Sequence, residues 1–298
     1  MKSSALDDWD IKPVPTTVTH LPETVIDTTI SLDDCLRAGK DGVDITNEQY
    51  HTMKGISGSN LALLAESNKH LDNKNLFDLG DSDALTFGTL VHTSVLEHHN
   101  LASEFVISEH FNLRTNQGKA DKAAFEEANT DKIIVTKDSF DKAQDMARNV
   151  IAICGDIINN GIKERSYFVK DDELLLKIRP DCYCQKTGQE WDLKTITPKH
   201  CDMSDHALER HILNMGYNIS AGYRNYVRKL LGMPTGQFNL IFVATTPGHM
   251  VRNIRMADAW IEESEWYVKE MLANRKWYLG TGIDKGVSVI DRSSRKYD

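Results

Sequence analysis

The chain has 298 residues, of which 40% are hydrophobic and 27% charged, the proportions of a globular protein with enough chain for a substantial core. No apolar run approaches the roughly 20 residues of a membrane-spanning helix, and the opening MKSSALDDWDIK lacks the basic and apolar segments of a secretory leader. Net charge is −9, yet residues 1–50 alone hold ten acids against four bases, so the acidic total does not exclude a nucleic-acid partner.

Residues 1–42 are polar and broken by Pro13, Pro15 and Pro22, which predicts an extended acidic arm ahead of one folded unit over 43–280. Within that unit, 55–64 (GISGSNLALL) reads as a helix start with Ser57 or Ser59 as N-cap before Leu61, Leu63 and Leu64. Residues 84–97 predict a second helix whose apolar stripe contains Leu85, Val91, Val95 and Leu96. Helical stretches follow over 120–129 and 138–153, separated by a short β-like run at 133–136. Residues 166–170 and 173–179 form a predicted hairpin turning at Asp171-Asp172. Residues 182–184 follow as a short β segment, and 190–195 as a third strand.

Helical sequence returns over 203–231. The run FNLIFVAT (238–245) suits a buried strand, with 251–256 as its neighbour. Residues 258–276 predict a closing helix with Ile261, Val268 and Leu272 on one side, and 281–298 a polar tail. The order indicates an α/β fold, a central mixed β-sheet flanked by helices. Cys35, Cys154, Cys182, Cys184 and Cys201 are an odd, scattered set. They read as reduced thiols of a cytoplasmic protein, and Cys182-x-Cys184 lacks the second ligand pair of a zinc site.

The chemistry concentrates in Pro180-Asp181 and Asp192-Leu193-Lys194. Asp181 closes one strand and Asp192 lies in the next across a short turn, so antiparallel pairing brings both carboxylates toward one hard cation. Lys194, two residues on, projects to the same face as Asp192 and can position or help deprotonate a water. Two carboxylates, a divalent ion and a lysine suffice for phosphodiester hydrolysis. Asp-x-Lys alone is common on exposed strands. The upstream Pro-Asp, the hairpin before it and the turn between them favour the functional interpretation.

These segments, together with FGTLVH (87–92), FNLRTNQGK (111–119) and KIRPD…EWDLKT (177–195), resemble the PD-(D/E)XK nuclease superfamily, and within it the RecE-type exonucleases of phage recombination. The resemblance runs from about residue 45 to 277. It implies Asp181 and Asp192 as metal carboxylates, the Leu193 carbonyl as a further ligand, and Lys194 as the catalytic lysine. Glu164 resembles the upstream acid of the family, although a surface glutamate between Lys163 and Arg165 is the plainer alternative. His92, in Gly88-x-x-x-His92, resembles the helix ligand of the branch, and its helical spacing turns it inward within the stripe of Leu85, Val95 and Leu96. The implied metal is Mg²⁺, with Mn²⁺ able to substitute because an imidazole suits it better.

The sequence departs from the family at the Gln-x-x-x-Tyr helix after the lysine. One register pairs Ile219 with Tyr223, the other Ser220 with Arg224, and neither restores the motif. The resemblance further implies 5′-to-3′ degradation of linear double-stranded DNA from its ends, a single-strand annealing protein as partner, and a homo-oligomeric ring. Candidate DNA contacts are Tyr223, the loop carrying Arg114, Asn116 and Lys119, and the cations Lys199, Arg210, Arg224, Arg228 and Lys229. For the loop, a plain polar surface role is an equal alternative. A structure- or site-specific endonuclease of the same superfamily is a rival function. A non-catalytic DNA-binding scaffold is disfavoured by the presence of Asp181, Asp192 and Lys194 together. An iron–sulphur nuclease would need cysteines beyond Cys201, and none follows it.

Overall fold

A computed structural model describes residues 30–74 and 83–284. The greater part of the expected extended arm, and the tail from 285 onward, lie outside the described residues. Residues placed in the arm by their composition include a folded piece: α1 (Leu32–Ala38) begins at a Ser31/Asp34 capping box and buries Cys35. A second capping box, Thr46 with Gln49, opens α2 (Asn47–Thr52). Next come α3 (Asn60–Glu66), α4 (Asn68–Asp72), α5 (Asp83–Leu96) and α6 (Leu101–Glu104). Strand β1 (Phe105–Ile107) pairs in parallel with β2 (Ile133–Val135) across α7 (Asn116–Ala128). The long α8 (Lys137–Asn160) starts at Thr136, whose hydroxyl accepts from the Ser139 amide.

The centre of the fold is a five-stranded mixed sheet. Its strands are β3 (Ile162–Lys163), β6 (Cys182–Tyr183), β7 (Glu190–Ile196), β8 (Phe238–Ala244) and β9 (Val251–Arg255), in that spatial order. Only β7 and β8 run parallel; the other pairs are antiparallel. The hairpin formed by β4 (Tyr167–Asp171) and β5 (Leu174–Ile178) appears where its turn residues placed it, with Asp172 in the left-handed region at φ 53°. It does not join β7, as the expected run of three strands implied, but forms a sheet of its own.

The predicted helical stretch over 203–231 is two helices. α9 (Asp205–Met215) ends at left-handed Gly216 and α10 (Tyr217–Leu230) starts from it, before the closing α11 (Asp258–Thr281).

Every residue of β8 is buried because helices cover both faces of the sheet. Ile241 and Val243 face α5 and α8 in a core with Leu90, Val91, Met146 and Val150. The alternate Phe238, Leu240, Phe242 and Ala244 face Leu208, Ile212, Ala221 and Ile261 of α9, α10 and α11. A third core joins the hairpin to α3, α10 and α11 through Leu61, Leu176, Ile178, Val227 and Val268. Close crossing of α10 over α11 depends on Gly222, where a Cβ would lie 2.5 Å from the Glu265 amide nitrogen.

Candidate metal centre and cleft

Three elements that are distant in sequence converge at one end of the sheet. α5 carries His92, the segment entering the hairpin carries Glu164, and the turn from β5 into β6 carries Asp181. The His92 Nε2 lies 2.8 Å from Asp181 Oδ2, and its Nδ1 3.4 Å from Glu164 Oε1. One ligand atom from each of the three lies within 4.8 Å of the others. Asp181 Oδ2 also accepts the Leu193 amide at 2.7 Å, which locks the carboxylate against the middle of β7. Glu164 adopts φ 53°, an unfavourable conformation for a residue with a Cβ, and strain of this kind is held in place at functional sites. Arg179 grips its Oε2 at 2.8 Å, while its Oε1 is buried with no hydrogen-bond donor. A buried carboxylate oxygen left open beside a histidine and a second carboxylate fits a hard divalent cation.

The electrostatics follow from this geometry. Burial disfavours charge on His92, but Asp181 and then Glu164 outweigh it and push the imidazole up to about 9. Burial pushes Glu164 up to about 7 against the pull of His92 and Arg179. Asp181 is held below the usual carboxylate range, because His92 and Lys194 overcome its burial. Lys194 is likewise held cationic, burial being overcome by Asp192 and Asp181.

Asp192, expected to share an ion with Asp181, is engaged by neighbouring cations in this structure. The register of β6 on β7 does bring Asp181 beside Asp192, but the Asp192 carboxylate lies outside the three-residue cluster. It is taken up by Lys194 on its own strand and by Arg224 of α10, at 2.7 Å. Arg224 also pairs with Glu190 at 2.6 Å, and Glu190 in turn holds the buried Arg228 at 2.6 Å. On alternate positions of β7, Glu190, Asp192 and Lys194 thus face a column of arginines on α10. Glu190 escaped the sequence reading although a signal was there: an acid-x-acid-x-lysine alternation opposite arginines four residues apart.

Several expectations are corrected. Tyr223 is not a DNA contact: it is 0% exposed, and its hydroxyl donates to the Ile56 carbonyl and accepts the Lys177 amide at 3.2 Å. Of the two registers on α10, Ile219 and Tyr223 therefore turn into the hairpin core, whereas Arg224 turns to the acids of β7. Arg228 is buried on Glu190 and Lys229 pairs with Glu265 at 2.7 Å, so neither is a free cation. Arg114, Asn116 and Lys119 are exposed, with Asn116 and Lys119 in the first turn of a helix capped by Thr115 and only Arg114 in the turn before it. Leu85 is 63% exposed and stands at the rim of the cleft instead of in the core stripe. Gly88 lines the cleft, and a Cβ there would meet Thr195 Oγ1 at an ordinary 3.6 Å.

The cluster opens into a cleft of about 340 Å³. Besides His92, Glu164, Leu193 and Lys194, its walls include Asn47, His51, Glu97 and Tyr217. Lys194 Nζ sits 5.4 Å from the centre of the Tyr217 ring. No helix among the described residues is long and apolar enough to cross a membrane.

Comparison with known proteins agrees with this architecture. A crystal structure of a "putative exonuclease" from Eubacterium rectale superposes with a TM-score of 0.55 at 16% identity, covering 86% of this chain and 96% of that one. A second crystal structure, SSO0001, reaches a TM-score of only 0.26 at 10% identity, covering 62% of this chain and 85% of its own, and bears no weight. No curated protein matches the sequence. The family described as a PDDEXK-like domain of unknown function (DUF3799) matches residues 50–282. Members of the PD-(D/E)XK nuclease superfamily use divalent metals, and the cluster of His92, Glu164 and Asp181 is of the kind that binds one. With most of its length matched, and with the α/β architecture that match requires, the chain belongs to the PDDEXK-like DUF3799 family of the PD-(D/E)XK nuclease superfamily.

Proposed function

We propose that the protein is a metal-dependent exodeoxyribonuclease that degrades linear double-stranded DNA from its ends in the 5′-to-3′ direction, leaving 3′ single strands for recombination by annealing. The observation that carries this reading is the convergence of His92, Glu164 and Asp181 on one side of a cleft that also holds the cationic Lys194. His92, Glu164 and Asp181 would hold Mg²⁺, with Mn²⁺ as substitute, and the bound ion would supply Lewis-acid charge to a phosphodiester oxygen and lower the pKa of a water. The Leu193 carbonyl is a further candidate ligand, placed on the strand segment that Asp181 fastens.

Within this reading each residue of the chain has a physical task. Asp181 and Glu164 concentrate negative charge that His92, Arg179 and Lys194 offset and that a bound divalent cation would share, releasing the His92 proton. Arg179 orients Glu164. Lys194, kept protonated by Asp192 and Asp181, offers positive charge to the phosphate as charge develops in the transition state, and is poorly suited to act as a base. Asp192 orients that lysine, and Arg224 fixes Asp192. The reading also includes a homo-oligomeric ring, a single-strand annealing partner and a cytoplasmic setting, the last in keeping with five free cysteines.

The test is a time course on end-labelled linear duplex and on closed circular DNA, with Mg²⁺, with Mn²⁺ and with chelator. Release of mononucleotides from the 5′ end of linear DNA alone is the expected result. Cleavage of the circle would replace the reading with an endonuclease, and no metal-dependent cleavage of either would replace it with a DNA-binding scaffold.

A further inference from the structure

Beyond the cleft, the C-terminal end of β7 borders a second cavity of about 620 Å³. Its walls include Thr197, Lys199, His200, Arg210, His211 and Asn214. Its charge is unusual for this protein. Every described arginine except Arg114 and Arg210 sits in an ion pair with a carboxylate. Lys199 likewise has no side-chain hydrogen bond or ion pair among the described residues. Among the described residues Asp202 is the only carboxylate in the wall, so two cations face one acid.

Two further features mark the cavity as built rather than incidental. His200 and Cys201 are consecutive left-handed residues, at φ 54° and 58°, in the turn that presents Lys199. The His211 Nε2 is buried without a hydrogen-bond partner.

The cavity is joined to the metal cleft in two ways. Lys194 and Thr195 line the cleft, and the next residues of the same chain, Ile196 and Thr197, line the cavity. Tyr217 lines the cleft, and its ring meets that of His211 edge-on at 5.7 Å between centroids. Lys199 lies five residues beyond Lys194, so at most about 18 Å of chain separates them. That is about five steps of a nucleic-acid strand at roughly 3.4 Å each.

We infer that this cavity is a second phosphate subsite, in which Lys199 and Arg210 hold backbone phosphates of the cut strand within about five nucleotides of the scissile bond. Tyr217 is the aromatic step between the two sites, a surface on which a base can stack. The inference rests on the nuclease reading for which strand is held, but the subsite itself is read by binding without cleavage.

The test uses the full chain and a fluorescein-labelled single-stranded 12-mer, with anisotropy measured in chelator over a series of salt concentrations. Lys199→Ala/Arg210→Ala should bind about tenfold more weakly than wild type, with the slope of log affinity against log salt shallower by about 1.4, the value for two phosphate contacts on a single strand. Its melting temperature should match wild type, because both side chains are exposed. Lys199→Arg/Arg210→Lys should restore both affinity and slope, and Lys137→Ala/Arg148→Ala, which removes two exposed cations on α8, should leave them unchanged. On linear duplex, KM should rise with kcat intact. Equal affinity and slope in wild type and Lys199→Ala/Arg210→Ala, or no binding by wild type, overturns the subsite. Wild-type binding that Lys199→Ala/Arg210→Ala loses, with no cleavage under any metal, overturns the nuclease reading and leaves the subsite standing.

Discussion

Glu190 offers a direct test of how the charged column behind the cleft is held. Its side chain is 0% exposed, and its two carboxylate oxygens take Arg224 and Arg228, each at 2.6 Å. Glu190→Gln keeps the shape and removes the charge. Arg224 retains Asp192 at 2.7 Å, but Arg228, 1% exposed, is left with no carboxylate among the described residues. Breaking a buried pair from one side costs about 3–5 kcal/mol, because the stranded ion stays out of water. At about 2–4 °C per kcal/mol for a unit of this size, the melting temperature should fall by roughly 6–20 °C. Thermal and urea unfolding measure this directly. The second half of the test is Glu190→Gln combined with Arg228→Met, which removes the stranded cation and should recover part of the loss. A single variant within about 3 °C of wild type, or a combined variant whose losses simply add, would refute the reasoning.

Other outcomes follow from the same geometry. Calorimetry with Mn²⁺ should show that His92→Ala, Glu164→Gln and Asp181→Asn each weaken metal binding at least tenfold, while Asp192→Asn and Lys194→Ala bind metal but lose most turnover; an Asp192→Asn protein as poor in metal as Asp181→Asn would put Asp192 back among the ligands. Tyr223→Phe should cost about 0.5–1.5 kcal/mol in chemical denaturation, since the hydroxyl's bonds are lost while the Lys177 amide still donates to the Ile56 carbonyl at 2.9 Å, with DNA affinity unchanged; reduced affinity at full stability would return Tyr223 to the substrate. Lys177 donates to the Tyr50 and Met53 carbonyls at 2.5 and 2.6 Å, and burial pulls its amine down to about 8. Between about pH 8 and the unfolded value near 10.4, the unfolded chain holds the extra proton, so raising pH across that window should stabilise wild type relative to Lys177→Met; a difference that stays flat would contradict that.

Much of the fold follows from local pattern. The apolar run of β8, the hairpin turning at Asp171-Asp172 and the helical periodicity of α5 and α11 need only hydrophobic spacing and turn chemistry. Asp181, Asp192 and Lys194 stand out for the same reason, as charges at fixed offsets around a short antiparallel turn. His92 and Glu164 are singled out only through family resemblance, because nothing local distinguishes a ligand histidine on an amphipathic helix from a packed one.

Which charges meet is a matter of tertiary packing. Asp192 pairs with Lys194 on its own strand and with Arg224, which comes from a helix 32 residues farther along the chain. On that helix, Tyr223 and Arg224 differ by about 100° of rotation, and periodicity alone leaves the phase open until the hairpin core claims Tyr223 and turns Arg224 to β7. Sequence spacing sets the directions in which side chains project along one element. Ion pairing depends on distances between elements, and those are settled only when the sheet and its covering helices pack.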